Sequence, residues 1–254
     1  MPSASTGLSL LGREVAPGTS VAIVGPSRSG RSTQLRVWAS EASSTVVSAS
    51  RAWGKLRPQD LGRRGKNGAT RLAEALDATG LWDERANAIS ALGLSGALLA
   101  EFAALAIGDD PALFIDDLFD RLDPWRRAAV RDHLVREATL VLTTHALDLA
   151  GSCDLVAVMA GRRPIFFGAP EELIAAQPIQ SFEVETGRGG AVAALVAPLA
   201  VDVTQTEGRV TFRAREGQET IVRLLLAGYG DVRSFVTRTP TFAQAVGALL
   251  GRAT

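Results

Sequence analysis

The hydrophobic residues of this chain form short continuous runs, separated by longer segments in which apolar residues recur at helical spacing. Runs that are apolar throughout and rich in β-branched residues are typical of strands buried on both faces of a parallel sheet. Strands are predicted at 21–24, 45–47, 112–115, 139–143, 154–159 and 164–167. Helices are predicted between them, at 34–41, 71–78, 97–107 and 125–137.

Strands that alternate with helices of this length predict an α/β domain with a mostly parallel sheet. In such sheets ligands bind beyond the carboxyl ends of the strands. Residues 8–15 alternate weakly and precede the turn signal Pro17-Gly18, so we predict a short edge strand there. The helix at 125–137 should have Asp123 as its N-cap and Pro124 as its first residue.

The pattern changes beyond residue 177. It predicts strand 181–186, helix 191–199, a hairpin over 201–215 turning at Glu207-Gly208, helix 219–227, strand 231–237 and a last helix from Phe242. This β-α-β-β-α-β order predicts a separate, small α+β domain of the ferredoxin-like type. The predicted domains are therefore 1–177 and 178–254.

Composition limits the classes of partner. The 254 residues carry 27 basic and 27 acidic side chains, and the formal net charge of +0 gives no overall field that would attract nucleic acid or anionic lipid. The single cysteine, Cys153, cannot form an intrachain disulfide, which fits a reducing compartment. The N-terminus lacks the features of a signal peptide, and the longest apolar run, 97–107, is too short to span a bilayer. We therefore expect a cytoplasmic protein that reaches a membrane only through a partner.

The run at 21–24 leads into the sequence GPSRSGRST, which fits the phosphate-loop pattern G-x-x-x-x-G-K-[S/T] at every position except Arg31. Glycines at Gly25 and Gly30 let the backbone turn tightly, so that successive N–H groups can surround a phosphate at a helix N-terminus. Ser32 would offer its hydroxyl to Mg²⁺. Arginine carries the charge of lysine on a wider planar fork, which fits less easily beneath such a loop. The alternative is a Gly/Ser-rich turn that binds nothing.

Polar residues follow the next two predicted strands. Asp116 and Asp117 come directly after 112–115, and His145 lies just past 139–143. All of them fall at the carboxyl edge of the predicted sheet, together with the loop. This repeated placement favours a phosphate site over a chance turn.

Read together, these segments resemble the nucleotide-binding subunit of an ABC transporter. The resemblance rests on GPSRSGRST, ALFIDD, LDP at 122–124, LTTH and CDLVAVMAGRRPIFFGAPEEL. The C-terminal segment VRSFVTRTPTFAQAVGALLG looks like the end of the accessory domain of subunits that pair with ABC-2 type export permeases. The resemblance implies a P-loop NTPase fold of the ABC type that uses ATP and Mg²⁺.

The resemblance also implies roles for individual residues. Asp117 takes the place of the general base, His145 that of the switch histidine, and Ser32 and Asp116 those of the Mg²⁺ ligands. The nucleotide contacts implied are Gly25, Ser29, Gly30, Arg31, Ser32, Thr33, Gln59, Ser95, Gly96 and Asp123. Among them, Gln59 would be the sensor glutamine, Ser95 and Gly96 the signature, and Asp123 the dimer contact.

The sequence departs from the family pattern at several places. Arg31 replaces lysine, and Asp117 replaces a glutamate that is one methylene longer. The signature at 93–97 can be aligned with either Leu94 or Ser95 at the serine position. The segment between the loop and the signature is too short for a full helical subdomain, so a reduced one is expected. No adenine-stacking aromatic precedes the loop, and Trp38 or Trp53 would have to replace it.

The sequence therefore predicts an ATP-binding subunit of an ABC export-type complex with weak or absent hydrolysis. Two identical copies would give two defective sites, so a heterodimer with a competent ATPase subunit is favoured over a homodimer. A permease would hold the complex at the inner membrane, and no nucleic acid is expected. The alternative is a nucleotide-free scaffold or regulator that acts through protein contacts. An active ATPase with arginine in place of lysine is a further, less favoured alternative.

Overall fold

The computed structural model describes residues 8–48, 54–64, 68–108, 110–177, 180–215, 217–228 and 232–253. The chain divides into two compact units, Met1–Pro170 and Glu171–Arg252. The boundary predicted at 177/178 stays a prediction. In the described ranges no helix has both the length and the apolar character needed to cross a membrane.

The first unit contains eight strands among its described residues. They are β1 Leu8–Leu10, β2 Arg13–Val15, β3 Ser20–Val24, β4 Val46–Val47, β5 Ala112–Asp116, β6 Thr139–Thr143, β7 Leu155–Ala160 and β8 Arg163–Gly168. Six of them form one sheet in the order β4-β5-β6-β3-β7-β8. All neighbours in this sheet are parallel except β7 and β8, which form an antiparallel hairpin. The predicted mixed α/β class with a mostly parallel sheet is confirmed.

Helices connect these strands. They are α1 Arg31–Glu41, α2 Gly68–Thr79, α3 Gly93–Ala106, α4 Pro124–Glu137 and α5 Leu147–Gly151, with short 3-10 helices at Pro58–Arg64, Ile89–Ala91 and Phe119–Arg121. No element is predicted for 51–68, whereas the described part of this segment contains the first of these 3-10 helices and the start of α2. Pro124 opens α4 as predicted; Asp123 occupies the N-cap position, although its side chain makes no capping hydrogen bond.

β3 lies at the centre of the sheet because every residue in it can be buried. Its five residues are all buried, and it pairs with β6 on one side and β7 on the other. The one polar member, Ser20, exchanges hydrogen bonds with Asp154: its N–H donates to Oδ2 at 2.7 Å, and its hydroxyl does so at 2.6 Å. Complete burial of a side chain such as Ile23 stabilises the fold by about 1.5–3 kcal/mol. The loop that follows β3 therefore starts from a fixed strand.

The N-terminal segment does not form the predicted edge strand. β1 and β2 pair with each other as a separate antiparallel hairpin, with Leu8 opposite Val15. The turn between them has Leu11 at φ 52° and Gly12 at φ 77°. Two left-handed residues in succession reverse the chain as in the tight turns of β-hairpins, and weak alternation alone could not reveal this reversal.

One aromatic contact fixes the segment that follows β5. The rings of Phe102 on α3 and Phe119 lie 4.8 Å apart between centroids, and both side chains are fully buried. Arg127 of α4 donates from Nε to the carbonyl oxygens of Phe119 and Leu122, at 3.1 and 3.0 Å. The Phe119–Arg121 helix is therefore contacted by both α3 and α4.

The second unit is an antiparallel sheet with helices. Its described elements are α6 Pro170–Ala175, which starts at the last residue of the first unit, β9 Gln180–Thr186, α7 Gly189–Val196, β10 Ala200–Thr206, β11 Arg209–Ala214, α8 Gln218–Gly228, β12 Val232–Arg238 and α9 Phe242–Ala253. The strand order is β10-β11-β9-β12, and every neighbouring pair is antiparallel. Apolar residues of β9, β11, α7 and α8 form its core. The hairpin turns at Glu207-Gly208, as the sequence predicts.

Candidate functional site

The loop between β3 and α1 depends on its two outer glycines. Gly25 has φ 152° and Gly30 φ 95°, which are conformations that side chains rarely adopt. A Cβ on Gly25 would lie 2.5 Å from the carbonyl oxygen of Met159, and one on Gly30 would lie 3.2 Å from Cα of Arg162. The loop is thus packed against the β7–β8 hairpin, and larger residues at these two positions would displace it.

The loop surrounds a cavity of about 410 Å³. It is lined by Arg28, Ser29, Gly30, Arg31, Ser32, Thr33, Gln34 and Arg162. The hydroxyl of Ser29 is buried, and no described group lies within hydrogen-bonding reach of it. A buried hydroxyl without a partner costs free energy, so its presence points to a ligand that would supply one. Sequence reasoning missed Arg162, which lies in the turn between β7 and β8.

Arg31 begins α1, and its guanidinium is directed to the ends of the neighbouring strands. The side chain is only 8% exposed. Nη1 donates to the carbonyl oxygen of Thr144 at 2.9 Å, and Nη2 contacts Nε2 of His145. Nη2 also lies 3.9 Å from Oδ1 of Asp117. One guanidinium therefore joins the loop between β3 and α1, the segment after β6 and the second acidic residue after β5.

The contact with Arg31 determines the hydrogen-bonding role of Nε2 in the His145 ring. A guanidinium has only donors, so Nε2 of His145 must act as the acceptor. The Nε2 lone pair is occupied by Arg31 and is not available to another donor.

Asp116 is the most enclosed carboxylate of the site, with 8% of its side chain exposed. Its Oδ1 accepts a hydrogen bond from Ser32 Oγ at 2.8 Å and lies 2.7 Å from Thr143 Oγ1. Its Oδ2 lies 3.6 Å from Nη2 of Arg36 on α1. Ser32 and Asp116, the two residues assigned to Mg²⁺ by resemblance, are thus brought into direct contact.

Asp117 has an unusual backbone conformation, with φ 54°. Its N–H donates to Thr143 Oγ1 at 2.9 Å, and its Oδ1 lies 2.9 Å from the same hydroxyl. Thr143 has one hydroxyl proton, so it can donate fully to only one of Asp116 and Asp117 at a time. Thr143 links the two carboxylates, a role that its position inside an apolar run did not suggest.

Asp120 is a second residue that sequence reasoning missed. Its Oδ2 accepts the backbone N–H of His145 at 2.8 Å, and its Oδ1 contacts the hydroxyl of Thr144. That hydroxyl in turn accepts the N–H of Ala146 at 2.9 Å. Asp120 therefore fixes the backbone on which His145 sits. The only signal in the sequence is its position within the acidic segment after β5.

The predicted signature residues lie elsewhere in the first unit. Ser95 and Gly96 belong to the first turn of α3 and line a different cavity, of about 560 Å³, together with Arg126 of α4. A Cβ on Gly96 would lie 2.1 Å from Cβ of Leu92, so only glycine fits. Leu94 is 92% exposed, and Ser95 is exposed as well. Because both side chains are exposed, their exposure does not decide whether Leu94 or Ser95 occupies the serine position of the signature.

The remaining predicted residues lie on exposed segments or at a helix start. Thr33 is exposed in the first turn of α1 and lines the loop cavity. Gln59 is exposed on the Pro58–Arg64 helix, where its N–H donates to Arg85 O at 3.2 Å. Asp123 precedes α4. The nucleotide-contact roles of these residues stay predictions.

Of the two tryptophans considered for adenine stacking, Trp38 is unsuited to it. It is 1% exposed, and its ring lies 5.9 Å from that of Phe167 within the core. Trp53 lies outside the described residues.

No protein-family model matches the chain. Two fluoroquinolones export ATP-binding proteins of Mycobacterium tuberculosis, from strains CDC 1551 / Oshkosh and ATCC 25618 / H37Rv, are each 31% identical to it over 123 residues, which is 46% of this chain. The chain covers 41% of the length of these curated relatives.

Among solved structures, a bacterial Atm1-family ABC exporter with ATP bound matches 64% of this chain and 36% of its own, with a TM-score of 0.52 and 19% identity. At this identity the match supports the fold alone. Over the matched 123 residues the chain is similar in sequence to export ATP-binding proteins, and its fold is similar to that of an ABC exporter.

Proposed function

We propose that this chain is the ATP-binding subunit of an ABC export-type complex, and that its site binds ATP but hydrolyses it weakly or not at all. The observation that carries this proposal is the position of the Arg31 guanidinium, between His145 and Asp117. Export and ATP binding are named for the two mycobacterial relatives, which this chain matches over part of their length.

Retained binding is supported by the loop. Gly25 and Gly30 keep the conformations that a phosphate loop needs, and the buried hydroxyl of Ser29 has no described partner. Three arginines line the cavity, so an anionic group would be attracted to it. These features support nucleotide-contact roles for Gly25, Ser29 and Gly30.

Weak hydrolysis is supported by the two residues that would act on the attacking water. A general base must lie within hydrogen-bonding reach of the proton that it removes. Asp117 is one methylene shorter than the glutamate usual in the family and lies near a competing cation, 3.9 Å from Arg31. His145 has its acceptor nitrogen occupied. A misplacement of about 1 Å can cost on the order of a hundredfold in rate.

Pairing with a second, competent subunit is proposed on the basis of the same residues. A homodimer would carry Arg31 and Asp117 in both sites, whereas a heterodimer would place one intact site beside this one. Leu94, beside the signature, is 92% exposed, and Trp125, beside Asp123, is 73% exposed. Aromatic side chains such as that of Trp125 are enriched at protein interfaces. A membrane permease would complete the complex and hold this chain at the cytoplasmic face of the inner membrane, with no nucleic acid partner.

The second unit is proposed to be a ferredoxin-like accessory domain. Its β-α-β-β-α-β order and its strand order, with β9 between β11 and β12, support this type. The proposed division of the chain remains 1–177 and 178–254.

The proposal is tested by titrating ATP into the purified chain in a calorimeter, with Gly30→Ala as the variant. The added Cβ at φ 95° would lie 3.2 Å from Arg162 Cα, so the loop should distort and the affinity for ATP should fall by at least about tenfold. Gly208→Ala is the matched control, because Gly208 also has positive φ (75°) but has open space around it.

Binding that falls in Gly30→Ala and persists in Gly208→Ala supports a nucleotide site in this loop. Wild-type binding that is the same in both variants would mean that ATP binds elsewhere. No binding to the wild-type chain would favour the alternative of a nucleotide-free scaffold, in which Arg31 only ties the loop to Thr144.

A further inference from the structure

Two arginines face the two carboxylates at the end of β5. Nη2 of Arg36 lies 3.6 Å from Oδ2 of Asp116, and Nη2 of Arg31 lies 3.9 Å from Oδ1 of Asp117. Each carboxylate thus has a positive charge beside it from α1. Arg36 was not among the residues singled out from the sequence.

This arrangement suits a magnesium ion poorly. Mg²⁺ requires oxygen ligands in near-ideal octahedral geometry and is held by one or two carboxylates together with water and phosphate oxygens. Ser32 and Asp116 supply the right atoms, but Oδ2 of Asp116 faces a guanidinium that would repel a divalent cation. Arg31 has the same effect at Asp117. The donor atoms are present, and the charge around them disfavours the metal.

The cavity itself offers positive charge to an anion directly. Of its eight described lining residues, three are arginines and none is acidic: the arginines are Arg28, Arg31 and Arg162. Arginine presents paired donors that match the geometry of phosphate oxygens. Part of the charge neutralisation that Mg²⁺ supplies in other nucleotide sites is therefore available from side chains.

We propose that this site takes the phosphate groups of a nucleotide without Mg²⁺, with Arg36 and Arg31 neutralising the carboxylates that would otherwise hold the metal. Arg28 and Arg162 contact the phosphates in its place. The inference rests on the proposed function, because it concerns the nucleotide bound at the same loop. It assigns Arg36 as the residue that sets the metal requirement.

The test compares the dissociation constant of ATP in excess Mg²⁺ with that in EDTA, measured by calorimetry on the full chain. Wild type is expected to bind with constants that agree within about threefold. In Arg36→Gln the carboxylate of Asp116 loses its cation, so Mg²⁺ should strengthen ATP binding by about fivefold, the upper range for an ion pair whose arginine is largely exposed. Arg36→Lys keeps the charge and should behave like wild type.

Arg223→Gln serves as a matched control for the loss of an exposed arginine. Arg223 is 78% exposed in the second unit, where it pairs with Glu219, and its removal should leave the Mg²⁺ dependence unchanged. Thermal unfolding of each variant verifies that it is folded. If Arg36→Gln does not fold, the wild-type comparison decides by itself.

The outcomes separate this inference from the proposed function. Wild-type binding that requires Mg²⁺ overturns the inference and leaves the nucleotide site standing. Absence of binding in both conditions overturns the nucleotide site itself. Equal binding in EDTA and Mg²⁺, together with a Mg²⁺ requirement created by Arg36→Gln, supports the assignment.

Discussion

Replacing Asp120 by alanine should destabilise the first unit, because this carboxylate fixes the segment that carries His145. It accepts the N–H of His145 at 2.8 Å and contacts the Thr144 hydroxyl. Hydrogen bonds to a charged group contribute about 1.5–3 kcal/mol each. The value for His145 should lie at the low end because that residue is exposed, so we expect a total loss of roughly 3–4.5 kcal/mol.

A loss of this size should be visible in a thermal melt. For a unit of 150–250 residues, 1 kcal/mol corresponds to about 2–4 °C, so the transition of the first unit should fall by roughly 6–18 °C in Asp120→Ala. Asp120→Asn retains one acceptor oxygen and presents an N–H₂ group to the other donor, so about half the effect is expected. Differential scanning calorimetry is suitable because it resolves separate transitions where the units of a chain unfold independently.

Asp132→Ala is the matched control for removal of an aspartate. Its carboxylate is 54% exposed and pairs with the adjacent Arg131, and such a surface pair contributes at most about 1 kcal/mol. If Asp120→Ala melts at the temperature of this control, the two hydrogen bonds do not stabilise the segment and the reasoning is wrong.

Three further predictions concern other parts of the chain. Burial raises the pKa of Cys153 to about 11, so the thiol should resist iodoacetamide at neutral pH in the native protein and react readily in urea. The hydrogen bond from Arg238 lowers the pKa of Glu183. The stability from this pair should therefore be present above the ordinary glutamate pKa of 4.5 and be lost as the pH falls below it. Unfolding of Glu183→Gln, measured as a function of pH, should lack this loss of stability at low pH. Gly96→Ala should cost about 1–3 kcal/mol in chemical denaturation through overpacking, whereas Gly247→Ala, with open space around it in α9, should not destabilise.

Sequence reasoning succeeded where a local pattern determines the structure. The apolar runs that became β3, β5 and β6 were recognisable because burial on both faces excludes polar residues from them. The start of α4 at Pro124 and the turn at Gly208 follow from the backbone preferences of proline and glycine. These signals depend on neighbours in the sequence and need no tertiary information.

The site was only partly predictable, because its contacts join distant segments. The sequence identified Arg31 as a departure, but it could not indicate that the guanidinium turns to Thr144 and His145, more than a hundred positions along the chain. No sequence pattern singles out Arg36 or Arg162, and their relation to the loop follows only from the packing of α1 and of the β7–β8 hairpin. Side-chain direction at a helix start is set by the fold around it.

The central claim is that this site binds ATP and leaves it largely unhydrolysed. It is tested most directly by incubating the purified chain with radiolabelled ATP, isolating the protein-bound nucleotide and separating ATP from ADP. The account predicts that the bound nucleotide is recovered as ATP after prolonged incubation. Recovery as ADP would contradict the argument from Arg31, His145 and Asp117, and recovery of no nucleotide would contradict the site itself.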